Sequence, residues 1–397
     1  MLSLSMIVRD EEEQLAGCLE SVRGFVQEMV VVDTGSRDGT VAVAERCGAV
    51  VHHLPWPGDF APARNHALGL VRGDWVLVLD ADERLRPEAR APLRILMEEP
   101  TTLVINLLRR EEGAASSPYS SVSRLFRRHP ALHWSRAYHA SIDDSVIALL
   151  GAEPRWRVVS CDEPALLHSG YRPERLAGGE KAARLRRAME EELRRRPDDP
   201  YACAKLGALE VSEGRAGRGI DLLRRGLGSC PPQAHAERYE LLLHLAIALA
   251  RQDPGRAEAL YRQALTVPLD PRLTLAARLN LAALLLGRGA TAEAAALARR
   301  ATALDPRLAM AWYDLGLIER RRGHLEAAIE AYRRAIELAP GHAEAHQNLA
   351  AALLLAGDIA GARRGFRQAI DLLRRQDRPA EAMDLERRAG AVVKLEP

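Results

Sequence analysis

The sequence predicts two folds in one chain: an α/β domain on a mainly parallel sheet, then an all-α solenoid. Two observations carry this. Over residues 1–175, short apolar, β-branched runs alternate with helical stretches, the pattern of a parallel sheet covered on both faces. From about residue 176 the strand signals stop, and a pattern of small and apolar residues recurs every 34 residues, the mark of stacked helical hairpins.

Leu2 to Val8 reads as the first strand and residues 11–22 as an amphipathic helix. Glu28 to Val32 is a second strand ending in Asp33, and helix 40–47 stops before Gly48, a C-cap residue. Ala49 to His53 is a third strand, residues 60–70 a helix, and Trp75 to Leu79 a fourth strand. In such sheets ligands bind beyond the carboxyl ends of the strands. Those ends carry Val8-Arg9-Asp10-Glu11, Asp33-Thr34-Gly35-Ser36 and Asp80-Ala81-Asp82, so these three polar clusters are expected on one rim.

In the second half, the pattern Trp312, Leu315, Gly316, Gly323, Ala328, Tyr332, Ala335 and Pro340 recurs 34 residues later as His346, Leu349, Ala350, Gly357, Ala362, Phe366 and Ala369. It also occurs 34 residues earlier, as Leu281, Ala282, Gly289, Ala294, Ala301 and Pro306, with weaker copies around Gly214 and Tyr261. This resembles the tetratricopeptide repeat. The small residues let two antiparallel helices approach closely, and one hairpin cannot bury its apolar face, so the copies must stack. The expected division is a first domain over 1–175, a linker helix over 176–199, about five repeats over 200–379, and a capping helix and tail over 380–397.

Composition narrows the function. With 56 basic and 54 acidic residues, charge gives no reason to expect nucleic acid. The clusters Arg184-Leu185-Arg186-Arg187 and Arg194-Arg195-Arg196 alternate with acids on helices and lack interleaved aromatics, so they read as ion-pairing faces. The five cysteines are scattered without CxxC spacing, which fits reduced thiols in a cytoplasmic protein. No basic leader followed by a long apolar run opens the chain, and no apolar stretch reaches the roughly 18 residues of a membrane span.

The chemistry is expected around Asp80-Ala81-Asp82. Two carboxylates two residues apart at a strand end can converge on a hard cation, Mn²⁺ or Mg²⁺, which keeps coordination sites for phosphate oxygens. The same string also occurs as solvated loop acids. The run Asp33-Thr34-Gly35-Ser36-Arg37-Asp38-Gly39-Thr40 suits a tight turn with Thr40 capping the next helix, which is also its plain structural reading.

Four strings in order, Met6–Glu12, Val31–Thr40, Asp59–Asn65 and Leu79–Glu83, resemble the family 2 glycosyltransferases, which have a Rossmann-like GT-A fold. The resemblance covers residues 1–175 and is nearest to a bacterial branch in which this domain precedes tetratricopeptide repeats, a branch that includes peptide glycosylating enzymes. It implies a nucleotide diphosphate sugar donor, a UDP-sugar, and inversion at the anomeric carbon. It also implies roles. Glu11 lines the pocket near the ribose, Asp33 accepts a hydrogen bond from the base, and Arg64 and Asn65 lie near the nucleotide or its phosphates. Asp80 faces the ribose and metal side, and Asp82 is the metal ligand. His168, in His168-Ser169-Gly170-Tyr171, stands where the family often has a third ligand; otherwise it is a satisfied buried histidine. Arg64 has an alternative as a helix arginine paired with an acid.

The segment His133–His139 resembles the family's run ending in a His-Glu pair, but here the next residue is Ala140. The base that deprotonates the acceptor is therefore expected at Asp143 or His139, with Asp144 adjacent. Two functions follow. One is a metal-dependent glycosyltransferase acting on a peptide, protein or glycan acceptor, with protein partners on the repeats. The other is a tetratricopeptide interaction scaffold with a catalytically impaired nucleotide-sugar-binding domain, which the missing acid favours. A nucleotidyltransferase would call for a glycine-rich basic loop, and residues 5–13 have none.

Overall fold

The computed structural model describes residues 1–136, 140–170 and 180–395. The chain divides into two compact units, Met1–Ala114 with Pro118–Leu209, and Glu210–Pro397 with Ala115–Ser117.

In the first unit the elements run β1 (Leu2–Val8), α1 (Glu12–Val22), β2 (Glu28–Asp33), α2 (Thr40–Arg46), β3 (Val50–His53), α3 (Phe60–Leu70) and β4 (Trp75–Val78). There follow β5 (Glu83–Leu85), α4 (Arg90–Glu98), β6 (Thr102–Glu111), β7 (Tyr119–Arg127), α5 (Asp143–Ala152) and β8 (Arg157–His168). Then come α6 (Glu180–Arg195) and α7 (Pro200–Ser212), whose last residues fall in the second unit. The helix expected as a linker is thus α6, inside the first unit. Glu191 pairs with Arg194 and Arg195, and Glu192 with Arg196, as the charge pattern predicts.

The strands form one sheet in the order β3-β2-β1-β4-β7-β6-β8-β5. The half β3-β2-β1-β4 is parallel. Beyond β4 the sense changes: β7 runs antiparallel to both β4 and β6, and β8 returns parallel to β6. The sheet is therefore mixed, because the second half is joined partly through the return of β6 into β7 rather than by helical crossovers. From β1 the chain moves outward one way through β2 and β3, then the other way to β4. The strand order reverses at β1, which places a crevice beyond its carboxyl end.

Strand residues alternate between two cores. Leu4, Met6, Leu77 and Leu79 pack with Leu15 and Leu19 of α1, while Val30, Val76 and Val78 pack on the opposite face with Ala61 and Val146. Both faces being covered explains why these strands read as continuous apolar runs. Each fully buried Leu or Val contributes roughly 1.5–3 kcal/mol relative to exposure.

The second unit is a run of paired helices: α8 (Ala216–Ser229), α9 (His235–Leu249), α10 (Pro254–Thr266), α11 (Leu275–Gly287), α12 (Thr291–Leu304), α13 (Ala309–Arg321), α14 (Leu325–Leu338), α15 (Ala343–Leu355), α16 (Ile359–Arg375) and α17 (Pro379–Gly390). Gly316 on α13 faces Tyr332 on α14 so closely that a Cβ there would lie 2.6 Å from the ring. Gly323, at φ 82° in the turn between these helices, matches Gly289 and Gly357 at φ 82° and 87°. The 34-residue period therefore marks one repeated left-handed turn. Among the described residues no helix is long and apolar enough to cross a membrane.

Asp314 on α13 is largely enclosed without a charged or hydrogen-bonding partner among the described residues, and burial pushes its carboxyl up to about 7. A folded value above the unfolded one means that ionisation opposes folding. The loss of stability begins as pH rises past the ordinary carboxylate range, about 4, and is complete above about 7. Asp314→Asn is expected to raise the melting temperature at pH 8, by about 2–4 °C per kcal/mol gained. In melts at pH 4 the gain should disappear; an equal gain at both values would contradict the assignment.

Candidate functional site

Three loops meet beyond β1, β2 and β4, as the strand ends require. The first two are laced together by backbone N–H groups. The Thr34 amide donates to the Val8 carbonyl at 2.9 Å, that of Arg37 to Asp10 at 2.8 Å, and that of Gly39 to Glu12 at 2.9 Å. Glu11 N–H donates to Thr40 Oγ1 at 2.8 Å, and that hydroxyl donates to Asp38. Thr40 therefore links the loops as the first residue of α2, instead of capping that helix. Asp33 is buried, and its carboxylate accepts from the amides of Gly35 and Ser36 at 3.2 Å, with His53 Nδ1 at 3.4 Å. The β2 turn is thus held by the same carboxylate expected to meet the base. Glu11 is half-buried at the start of α1, where Gln14 donates to it at 3.2 Å.

The third loop is organised by alternating charges. Asp80 accepts from Arg64 at 2.6 Å on one oxygen and from Arg124 at 2.8 Å on the other. Arg124 also reaches Glu83 at 3.3 Å, and Glu83 accepts from Arg109 at 2.6 Å. Arg109 lies 2.9 Å from Glu111, which bonds His168 Nδ1. His168 Nε2 lies 3.1 Å from Asp82. This chain of charges leaves one aspartate of the Asp-Ala-Asp string and returns to the other.

The environments set the charges. Burial alone would raise the Asp80 pKa, but Arg124 and Arg64 hold it far below the usual carboxylate range. Burial opposes ionisation of Glu111, yet His168 and Arg109 keep it low. Burial would likewise favour a neutral His168 ring, but hydrogen bonds to Asp82 and Glu111 outweigh it and lift the pKa to about 9.

Asp82 and His168 present a carboxylate oxygen and an imidazole nitrogen side by side. Gly170 leaves space there: a Cβ on it would come within 2.6 Å of His168 Nε2 and 3.2 Å of Asp82 Oδ2. Among the described residues no group of three or more His, Cys, Asp and Glu is arranged to hold a metal ion. The donor set present, one hard oxygen and one imidazole, fits a cation that takes its remaining ligands from phosphate and water.

Arg64 lies on α3, 7% exposed, with its guanidinium 4.8 Å from the Trp134 ring centroid. Burial pushes its pKa down against the pull of Asp80. One terminal nitrogen holds Asp80; the other, Nη1, is enclosed with no hydrogen-bond partner among the described residues. An enclosed donor left unpaired costs roughly 1–3 kcal/mol, so this position favours an acceptor beyond the described residues. The Asn65 amide clamps the Trp134 backbone, donating at 2.9 Å and accepting at 2.7 Å.

Asp143 opens α5 and accepts from Ser141 Oγ at 2.6 Å in an exposed position. Asp144 is committed to Arg136 at 3.2 Å and Ser135 at 3.0 Å. His139 lies outside the described residues. Glu83, Arg109, Glu111 and Arg124 were given no role from sequence, and Glu83 only closes the string Leu79–Glu83. Their only signal was charged residues within otherwise apolar strand patterns, which the register of β5, β6 and β8 brings together.

Residues 3–149 match the model of glycosyl transferase family 2, and residues 244–309 and 316–357 match tetratricopeptide repeat models. A TPR repeat-containing protein of Synechococcus elongatus is 43% identical over 392 residues, 98% of this chain and 97% of that protein. An uncharacterized glycosyltransferase of Rickettsia felis is 27% identical across 44% of this chain and 64% of its own length. The SPbeta prophage-derived glycosyltransferase SunS of Bacillus subtilis is 25% identical across 57% of this chain and 53% of its own length. The chain belongs to the tetratricopeptide-repeat proteins that carry a family 2 glycosyltransferase domain at the N-terminus.

Glu83 is fully buried between Arg109 and Arg124. Removing one partner of such a group strands the others, so Glu83→Ala is expected to destabilise the first unit by about 3–5 kcal/mol. Chemical denaturation followed by tryptophan fluorescence reads this directly, since all five tryptophans except Trp312 lie in that unit. A midpoint equal to that of the unaltered chain would show that the arginines have other partners.

Proposed function

We propose that this protein is a divalent-cation-dependent, inverting glycosyltransferase that moves a sugar from a UDP-sugar to a peptide, protein or glycan acceptor. The observation that carries the reading is the convergence, on one rim, of the Asp82–His168 pair with Nη1 of Arg64, which has no hydrogen-bond partner among the described residues. A carboxylate beside an imidazole suits a cation, and an enclosed guanidinium nitrogen without a partner among the described residues suits an anion. A nucleoside diphosphate held with Mn²⁺ or Mg²⁺ answers both.

When bound, the cation neutralises charge developing on the diphosphate leaving group. Arg64 Nη1 donates to a phosphate oxygen, where a charge-assisted bond is strongest. Asp80 holds Arg64 and Arg124 in place. Asp33 accepts from the base, and Glu11 lines the ribose pocket. Asp143 takes the proton from the acceptor hydroxyl; it is preferred to Asp144, which Arg136 already holds. The repeats recruit protein partners or the acceptor. No disulfide joins the cysteines among the described residues, all five of which are buried, and this supports a cytoplasmic setting.

The scaffold reading has one observation in its favour: Ala140 stands where the family motif has an acid, and Asp144 is tied up in ion pairs. Turnover separates the two. With UDP-sugars and Mn²⁺, the protein should release UDP, and Asp82→Ala should abolish the release. Equal release from both proteins would sink the assignment. By calorimetry, Asp33→Ala should weaken UDP binding about tenfold, or about 1.4 kcal/mol; unchanged affinity would remove Asp33 from the base pocket. Asp143→Asn should lower turnover by roughly a hundredfold or more with UDP affinity intact, and unchanged turnover would exclude it as the base.

A further inference from the structure

We propose that Glu111 is a positioning residue for the cation site, fixing the His168 ring so that Nε2 faces Asp82 and the cation. This rests on reading Asp82 and His168 as the protein's cation ligands. Glu111 ends β6 directly beside His168 in the parallel register with β8. The strand ends are locked there, because the Glu112 amide donates to the His168 carbonyl at 2.9 Å. Glu111 is 5% exposed, and its two oxygens are divided. Oε1 takes the Ser120 hydroxyl and the Arg109 guanidinium, while Oε2 takes His168 Nδ1.

That division separates a positioning role from simple charge balance. Arg109 already has a buried acid in Glu83 at 2.6 Å, and a residue needed only to pair with it would have no reason to aim its second oxygen at an imidazole. An imidazole can turn over about its Cβ–Cγ bond and can carry its proton on either nitrogen. A fixed anionic acceptor keeps a proton on Nδ1, so that the Nε2 proton, on the side facing Asp82, is the one a cation would displace. On that side Gly170 has no side chain to occupy the space beside Nε2. One edge of the ring is anchored on Glu111, and the other faces Asp82 at 3.1 Å.

The test uses the full chain with saturating UDP, following free Mn²⁺ by electron paramagnetic resonance. Glu111→Ala is expected to weaken Mn²⁺ binding roughly 10–100-fold, and Glu111→Gln, which keeps an acceptor oxygen, to weaken it less. UDP affinity without metal and the circular dichroism spectrum should match those of the unaltered protein. Glu111→Ala binding Mn²⁺ as the unaltered chain does overturns the proposal and leaves the cation reading standing, provided that Asp82→Ala and His168→Ala lose the ion. If those two also bind normally, both readings fall. Should Glu111→Ala fail to fold, the ring ¹⁵N shifts of His168 in the Zn²⁺-loaded unaltered protein decide: an Nδ1–H tautomer supports the proposal, and an Nε2–H tautomer overturns it.

Discussion

The site depends on one buried carboxylate. Glu83 sits at the start of β5 with no solvent exposure, accepting from the Asp80 backbone amide at 2.9 Å and from two arginines. A lone ionised acid at that depth would cost several kcal/mol, so Arg109 and Arg124 are obligatory. Each arginine brings an excess donor face, which is met in turn by Glu111 and Asp80. The loop after β4 is thereby fixed from beneath by side chains of β5, β6 and β7, before any ligand arrives. This is preorganisation of the kind that lets a site act on charge without rearranging.

The parallel half of the sheet was legible in the sequence because its strands are buried on both faces and bounded by turn residues. The three rim clusters followed from strand polarity alone. The repeats were legible because Gly316 and Gly323 answer to hard constraints, a close ring contact and a positive φ, that few residues satisfy. The change of sense at β7 was not legible: the run from Tyr119 to Arg127 has no strict alternation, and nothing in it records the direction of its neighbours. Nor was the charge chain, since Arg109, Glu111 and Arg124 become neighbours of Glu83 only through strand order and register. Local pattern does not encode which strand lies beside which.

Asn65 illustrates the same limit on a finer scale. It sits in the family string with Arg64, one residue apart on α3, and so points in a different direction around the helix. Arg64 turns toward Asp80, while Asn65 holds the Trp134 backbone. Between them they tie α3 both to the Asp-Ala-Asp loop and to the segment leading to Ala140. The helix thus couples the Asp80 loop to the Trp134 segment.

The two aspartates of the Asp-Ala-Asp string are unequal. Asp80 has both oxygens engaged by arginines, so losing it would expose two enclosed cations to each other. Asp82 instead lies 3.1 Å from His168 Nε2. Selection acting on folding alone would therefore preserve the first aspartate, whatever became of the chemistry. Among descendants of this architecture, retention of that first position is a record of foldedness.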